Sequence, residues 1–414
     1  MQPTNIYRPG VEADALQAAN NLNRIIVDDA LNNQNPDPIV FARGDLPLSA
    51  SNTLRGGDTA TGIVGVMTYT WSGNAASGNA YRVRPINALG GSISFEPTNP
   101  RPEAASEPAG TMRVAGMNLL NFFNTFTGCT NGVEGIPTDC RGAESQAEYD
   151  RQLAKTVSAI TGTMADVVGL VEVENDGYGS DSALAALVTA LNAVADPDTY
   201  AFIDADAGTG QVNALGTDAI KVGLIYKPAK VTPIGTTAAL NTVEFVNGGD
   251  GEARNRPALA QAFEEKATGG RFVVAVNHLK SKGSACDDPD ALDGQGNCNI
   301  VRTNAANLLW SWLADDPTEI GDTDALIVGD LNSYAREDPI EALKVAGYSD
   351  LKLLFGSWEA YSYVFDGQWG YLDHALSSHS LTPQVAAVFD WHINADEPSV
   401  LDYNTNFKSA DQIN

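Results

Sequence analysis

From Met112 onward one local pattern recurs: a short run of β-branched and aliphatic residues that ends on a polar side chain. Arg113-Val-Ala-Gly-Met117, Asp166-Val-Val-Gly-Leu-Val171, Lys221-Val-Gly-Leu-Ile-Tyr226, Arg271-Phe-Val-Val-Ala-Val276 and Ala325-Leu-Ile-Val-Gly329 read as strands. Between some of them, residues 146–162, 182–195 and 304–314 place apolar side chains at i, i+3 and i+4, which predicts helices. Strands mixed with helices over roughly 300 residues predict one large α/β or α+β domain.

The polar residues that close the runs are chemically alike. Asn118, Glu172, Asn277-His278, Asp330-Leu-Asn332 and Asp373-His374 each follow or sit in such a run, and Asp396 lies in Ile-Asn-Ala-Asp-Glu-Pro. A strand-end Asn or Asp taken singly caps a helix or makes a turn. Six at equivalent places predict convergence, because rigid sheet ends open into a crevice. Carboxylates gathered without cationic partners are costly, so convergence implies a bound cation. Oxygen ligands without a Cys or His cluster suit Mg²⁺, Mn²⁺ or Ca²⁺ rather than zinc. The chain has four histidines; His278 is followed by the basic loop Leu-Lys-Ser-Lys-Gly283, where Lys280 and Lys282 are candidates to position a phosphate.

Four segments carry a family resemblance: Met112-Arg-Val-Ala-Gly-Met-Asn-Leu-Leu-Asn-Phe-Phe-Asn124, Asp166-Val-Val-Gly-Leu-Val-Glu-Val-Glu-Asn175, Asn277-His-Leu-Lys-Ser-Lys-Gly283 and Gly329-Asp-Leu-Asn-Ser333. Together, and in this order, they resemble the endonuclease/exonuclease/phosphatase superfamily, and within it the secreted bacterial nucleases related to DNase I. The resemblance spans about residues 111–404. It implies a four-layer α/β sandwich, preceded by a small OB-like β module that is whole or partial. It also implies metal-dependent phosphodiester hydrolysis, with Asn118, Glu172 and Asp396 at metal-binding positions. His278 matches the histidine at the scissile phosphate, Asp330 the residue that orients and deprotonates water, and Asn332 its phosphate-binding companion. Asp373 matches an aspartate that supports proton transfer, and Arg256 a phosphate-contacting arginine, with Arg254 the alternative. The usual closing Ser-Asp-His is replaced by Ala395-Asp396-Glu397, so His392 and His374 become candidates for the missing imidazole.

Charge and cysteines bound the setting. Asp and Glu number 52 against 25 Lys and Arg, a formal net charge of −27, which excludes a simple electrostatic binder of nucleic acid. A metal enzyme acting on phosphates stays open, since a bound cation inverts the local field. DNA is the expected substrate, with RNA a further one, and a local basic strip of Lys280, Lys282, Arg302, Arg254 and Arg256 is expected to receive it. Cys129/Cys140 and Cys286/Cys298 form two sequence-local pairs. Local pairing is the cheapest of the three connectivities to close, zinc being the rival reading, and two disulfides would place the protein in an oxidising, extracellular compartment. The Asp-rich loop between the second pair (Asp287, Asp288, Asp290, Asp293) is a candidate Ca²⁺ site, against the plainer reading of a solvated disulfide loop.

The division expected is a β-rich OB-like module over 1–96, a linker over 97–110, the catalytic domain over 111–404 and a polar tail over 405–414. No apolar run reaches the ~20 residues of a membrane span, and Met1-Gln-Pro-Thr-Asn5 has no signal-peptide character; a monomer is expected. A phosphatase or phospholipase C-like esterase of the same fold is the nearest alternative function, and a non-catalytic binding module or adhesin the alternative of another class.

Overall fold

The computed structural model describes the chain apart from residues 30, 32, 72–77, 87–92, 106–109, 289–291, 358 and 414. The chain divides into two compact units, the first made of residues 1–14 and 104–391 and the second of 15–103 and 392–414.

In unit 1 the strands are β1 (Val114–Phe122), β2 (Val167–Glu174), β3 (Ala201–Phe202), β4 (Ile220–Tyr226), β5 (Val231–Leu240), β6 (Arg256–Glu265), β7 (Arg271–His278), β8 (Ala325–Asp330), β9 (Ser349–Asp350) and β10 (Asp373–Ser377). They form a four-stranded sheet in the order β1-β2-β4-β3 and a six-stranded sheet in the order β5-β6-β7-β8-β10-β9. Only β1/β2 and β7/β8 pair in parallel. A parallel pair needs a crossover, supplied by α1 (Gln146–Thr163) in the first sheet, with α2 (Ala183–Val194) after β2, and by α3 (Asn299–Ala314) in the second, with α4 (Asp338–Val345) after β8. Ser145 and Ser182 cap α1 and α2, accepting from the N–H of Glu148 and Ala185.

The period of two along each strand assigns the layers. From β6, β7 and β8, the side chains of Leu259, Phe263, Phe272, Val274, Val276, Leu326 and Val328 join Val167, Val171, Val222 and Leu224 of the first sheet in one buried cluster. The alternate residues Ala258, Ala260, Ala262, Val273, Ala275 and Ile327 pack instead with Ala305, Ala306, Leu309, Ile340 and Leu343 of α3 and α4. On the first sheet, Leu184 of α2 lies over Gly223 of β4. The result is a helix–sheet–sheet–helix sandwich, the DNase I-like α/β fold the sequence implies. Gly169 of β2 packs tightly against the other sheet; a methyl there would lie 2.7 Å from Val328 and 2.9 Å from Val276, so only glycine fits without displacement.

Unit 2 differs from the expected module. Strands Ile26–Val27, Asn79–Pro85 and Gly65–Trp71 form a three-stranded sheet with Asn79–Pro85 in the middle, and Phe41–Arg43 pairs with Ile93–Phe95 in a second, two-stranded sheet. No OB-like barrel closes among the described residues. Of the expected tail, the described residues 405–413 are held in place: the Ala50 N–H bonds the Asp411 carbonyl, Gln412 donates to the Pro36 carbonyl, and Leu401 just upstream is buried with Ala42 and Leu48. These contacts draw 392–414 into the same unit as 15–103. The N-terminal residues join unit 1 for a similar reason, Thr4 donating to Glu337 at 2.7 Å and the Gln2 N–H bonding the Trp369 carbonyl. Residues 106–109 of the expected linker lie outside the described residues.

Cys129 is bonded to Cys140 and Cys286 to Cys298, the local pairing. Among the described residues no helix is long and apolar enough to cross a membrane.

Phe263 is fully buried, with the rings of Tyr226 and Phe272 at 5.6 and 5.9 Å. Phe263→Ala is expected to destabilise unit 1 by about 3–5 kcal/mol, read as a lower urea midpoint at unchanged slope.

Candidate active site

Register across the six-stranded sheet explains how residues far apart in sequence meet. Arg256 is paired with His278, His278 with Asp330, and Asp330 with Asp373. Four charged or titratable residues thus stand side by side across β6, β7, β8 and β10. Gly329 makes the alignment possible: its φ is +122°, and a Cβ there would lie 2.1 Å from the Asn277 carbonyl oxygen, so any side chain at 329 would push Asp330 out of register.

The first sheet contributes Asn118 and Glu172. The β1/β2 register shifts between Asn118 and Phe122, and the β2/β4 register between Leu170 and Val173, so irregularities flank Glu172 on both sides. Leu120, Asn121 and Glu172 have φ of 55°, 50° and 64°, a left-handed conformation that costs free energy in non-glycine residues and gathers at functional sites. It turns the Asn121 N–H onto Glu172 Oε2 at 2.9 Å. The Asn118 amide bridges the two sheets, its Nδ2 donating to Glu172 Oε1 at 3.1 Å and to Asp330 Oδ2 at 3.4 Å, while its Oδ1 accepts from the Leu120 N–H.

Burial sets the protonation states. Asp330 is held well above the usual carboxylate range, by burial first and then by the charges of Asp373 and Glu172; the Asn332 N–H and the Asn118 amide oppose this only in part. His278, 3% exposed, is held well below its ordinary value by burial and by the Arg256 charge, and so is neutral at pH 7. Its Nε2 lies 4.0 Å from Glu172 Oε1, and its Nδ1 has no hydrogen-bond partner. Asp373 accepts from the Ser362 hydroxyl at 2.7 Å.

Other expected residues are engaged elsewhere. Arg256 pairs with Asp218 at 3.4 Å at the edge of the row. Asn332 donates to the Leu279 carbonyl at 3.0 Å, which ties the loop after β8 to the one after β7. The expected basic strip is largely consumed within the fold. Lys282 is bonded to Glu337 at 2.5 Å and to the Gln295 carbonyl, Arg302 is fully buried on the carbonyls of Lys280, Gln295 and Asn297, and Arg254 is paired with Asp250 at 3.1 Å. Lys280 is held by the hydroxyls of Ser281 and Ser284. His374 is buried with its Nε2 2.7 Å from the Ser333 carbonyl.

Asp396 and His392 belong to unit 2. There Arg55, fully buried, donates to Asp396 at 3.1 Å, to Glu397 at 2.8 Å and to the carbonyl of His392, and Asn99 donates to Asp396 at 3.0 Å. The Asp396 carboxylate, expected as a metal ligand, has a guanidinium as its counter-charge here.

Among the described residues no three His, Cys, Asp or Glu side chains form a ready cage for a metal. Asp287 pairs with Arg254 and accepts from the Gly251 N–H, Asp293 accepts from Gln295, and Asp290 lies outside the described residues. The site between the sheets nevertheless fits a hard cation that keeps most of its water. Glu172 and Asp330 both accept from the Asn118 amide, and Asp373 acts on Asp330 from the neighbouring strand, an oxygen-rich set with Arg256 at its edge.

Sequence reasoning missed Ser362, which orients Asp373; Asp218, which holds Arg256; and the backbone N–H of Asn121. None carries a motif: the first two are separated from their partners by chain that only the fold closes, and the third is a main-chain group.

A two-sheet α/β sandwich with a carboxylate–histidine row at its strand ends defines a phosphoesterase architecture. The chain belongs to the endonuclease/exonuclease/phosphatase family, whose model matches residues 122–399; members hydrolyse phosphoester bonds. No curated protein matches the chain. Among solved structures, it is similar to an endonuclease/exonuclease/phosphatase family protein from Bacteroides thetaiotaomicron, at 15% identity over 66% of this chain and 84% of that one, TM-score 0.43. It is similar to the human Nocturnin catalytic domain with bound sulfate, at 18% identity over 66% and 84%, TM-score 0.39. A mannosyl-6-phosphatase of Bacteroides thetaiotaomicron is similar at 15% identity over 58% and 82%, TM-score 0.39.

Because the folded protein raises the pKa of Asp330, the native state binds that proton more tightly than the unfolded chain does. The stability this confers is complete below the ordinary carboxylate value, near 4, and is lost as pH rises through the folded value. In chelator at pH 7, Asp330→Asn is expected to stabilise unit 1. The gain should shrink as pH falls toward 4, measured by urea denaturation at both pH values.

Proposed function

We propose that the chain is a secreted, Mg²⁺- or Mn²⁺-dependent nuclease that hydrolyses phosphodiester bonds of DNA, and RNA as a further substrate, by attack of water. The observation that carries this reading is the row Arg256, His278, Asp330, Asp373 in consecutive strands, with Glu172 and Asn118 facing it from the other sheet. The two disulfides and the acid-rich composition support an extracellular setting.

In this mechanism Glu172 and Asn118 would hold the cation, which supplies Lewis-acid stabilisation of charge developing on the phosphate oxygens. Asp330 is the base. Its raised pKa gives it more driving force to take a proton from water than an ordinary carboxylate has, and Asp373, steadied by Ser362, sustains that basicity by like-charge repulsion. Neutral His278 donates one N–H to a phosphate oxygen, and burial fixes its ring so that little reorganisation is needed. Arg256 adds positive charge at the end of the row.

Nicking of supercoiled plasmid with Mg²⁺, Mn²⁺ or excess chelator tests the reading. Metal-dependent nicking is expected, with His278→Ala slower by roughly 10²–10⁴-fold. Turnover of phosphomonoesters or phospholipids without nicking would move the chain to another branch of its family. The acid limb of kcat should lie above the ordinary carboxylate range, since Asp330 must be ionised to act. Asp373→Asn removes one charge that raises Asp330, so the limb should move to lower pH as the maximal rate falls.

A further inference from the structure

Lys282, Arg302 and Arg254, three of the five cations expected to receive a polyanion, are engaged within the fold of a chain of net charge −27. Unit 2 offers a different kind of surface. Strand Gly65–Trp71 is the edge of its sheet, and Met67, Tyr69 and Trp71 are 61%, 59% and 56% exposed. These three alternate onto one face. Tyr81, on the neighbouring strand and 61% exposed, is directly opposite Tyr69, their ring centroids 4.9 Å apart. Large apolar groups concentrated on one exposed sheet mark an interaction site rather than ordinary surface scatter.

The charge pattern selects the occupant. Residues 59–95 contain no Asp or Glu, the longest such run in the chain, and their only charged side chains are Arg82 and Arg84. Arg82 is paired with Asp28 at 2.7 Å, and Arg84 donates to the Asp29 carbonyl at 3.2 Å. The strands carrying the aromatics are therefore free of the carboxylates that crowd the rest of the chain, and a phosphate backbone meets no like charge from them. Exposed rings on a strand surface stack nucleobases without regard to sequence, because every base has a π-face.

We propose that Tyr69, Tyr81 and Trp71 form a base-stacking platform for single-stranded nucleic acid, which holds substrate by ring contacts in place of a basic groove. The proposal rests on the nuclease reading only for the identity of the polymer as substrate. Binding of a short labelled oligothymidylate to the full chain, in chelator so that no cleavage occurs, tests it by fluorescence anisotropy. Wild type should bind with an affinity that falls only weakly with salt, since few counterions are released. Tyr69→Ser/Tyr81→Ser should weaken binding about tenfold or more, Tyr69→Phe/Tyr81→Phe should restore it, and an abasic strand of the same length should bind wild type as poorly as the Ser variant binds the oligothymidylate. Equal binding by wild type and the Ser variant, or by abasic and intact strands, would overturn the platform. So would retention on a neutral polysaccharide matrix that the Ser variant loses while oligonucleotide binding is absent, which would make the surface a glycan site. Plasmid nicking by wild type is scored separately: nicking with unaltered binding in the Ser variant sinks the platform alone, and stacking without nicking sinks the nuclease reading alone.

Discussion

The closeness of the two sheets in unit 1 governs what the rest of that unit can do. Gly169 lets β2 settle against Val276 and Val328, each of which lies two residues before the polar end of its strand. Because the sheets touch there, the strand ends that follow cannot diverge far. The Asn118 amide therefore reaches both Glu172 in its own sheet and Asp330 in the other. An apolar contact with no chemistry of its own thus fixes the spacing of the groups that carry the chemistry. A larger residue at 169 would act on the site without touching it, by levering the strand ends apart.

That spacing forces carboxylates together at an energetic cost. Burial raises Asp330 first, and the charges of Asp373 and Glu172 raise it further. The backbone around Glu172 adds left-handed residues that only a well-determined surrounding maintains. Interior packing of Val, Leu and Phe supplies that determination, which is why the unfavourable features stand at the margin of the large cluster and not within it. The opposite solution is visible in unit 2, where Asp396 and Glu397 are also brought close and the chain places Arg55 between them. A buried carboxylate given a fixed guanidinium is a structural element. One left without such a partner is available to a proton or a cation.

The strands and helices of unit 1 were legible because burial on both faces leaves continuous apolar runs and amphipathic helices leave a period near 3.6. Asn118, Glu172, His278, Asp330 and Asp373 were legible for a related reason: each ends or interrupts such a run. The β5/β6 hairpin was not read, since Val231–Leu240 mixes Thr, Gly and Pro with few large apolar residues and is held by its register with β6. Ser362, eleven residues before Asp373, gives no local signal, because its role exists only once the chain has folded back. The expected basic strip shows what sequence leaves open. Lysines and arginines near a site motif look like phosphate ligands in sequence, yet Lys282 and Arg302 are needed by Glu337 and by the carbonyls of the loop between β7 and α3.

The internal use of these cations bears on how an acidic protein could meet a polyanion, as the proposed function requires. Long-range repulsion from the net charge acts over about 10 Å in moderate salt, so approach becomes easier as ionic strength rises, while ordinary cation–phosphate binding weakens under the same change. A surface that relies on ring stacking escapes the second effect and benefits from the first. Aromatic exposure on strand Gly65–Trp71 and the absence of carboxylates over 59–95 are two sides of one physical arrangement. On the proposed reading, the missing like charge would permit approach, and the rings would then provide contact that salt does not screen. The same reasoning would let the cations of unit 1 be given over to holding loops in place: where salt is high their value as phosphate ligands is small, whereas the partly buried Lys282–Glu337 pair is screened less.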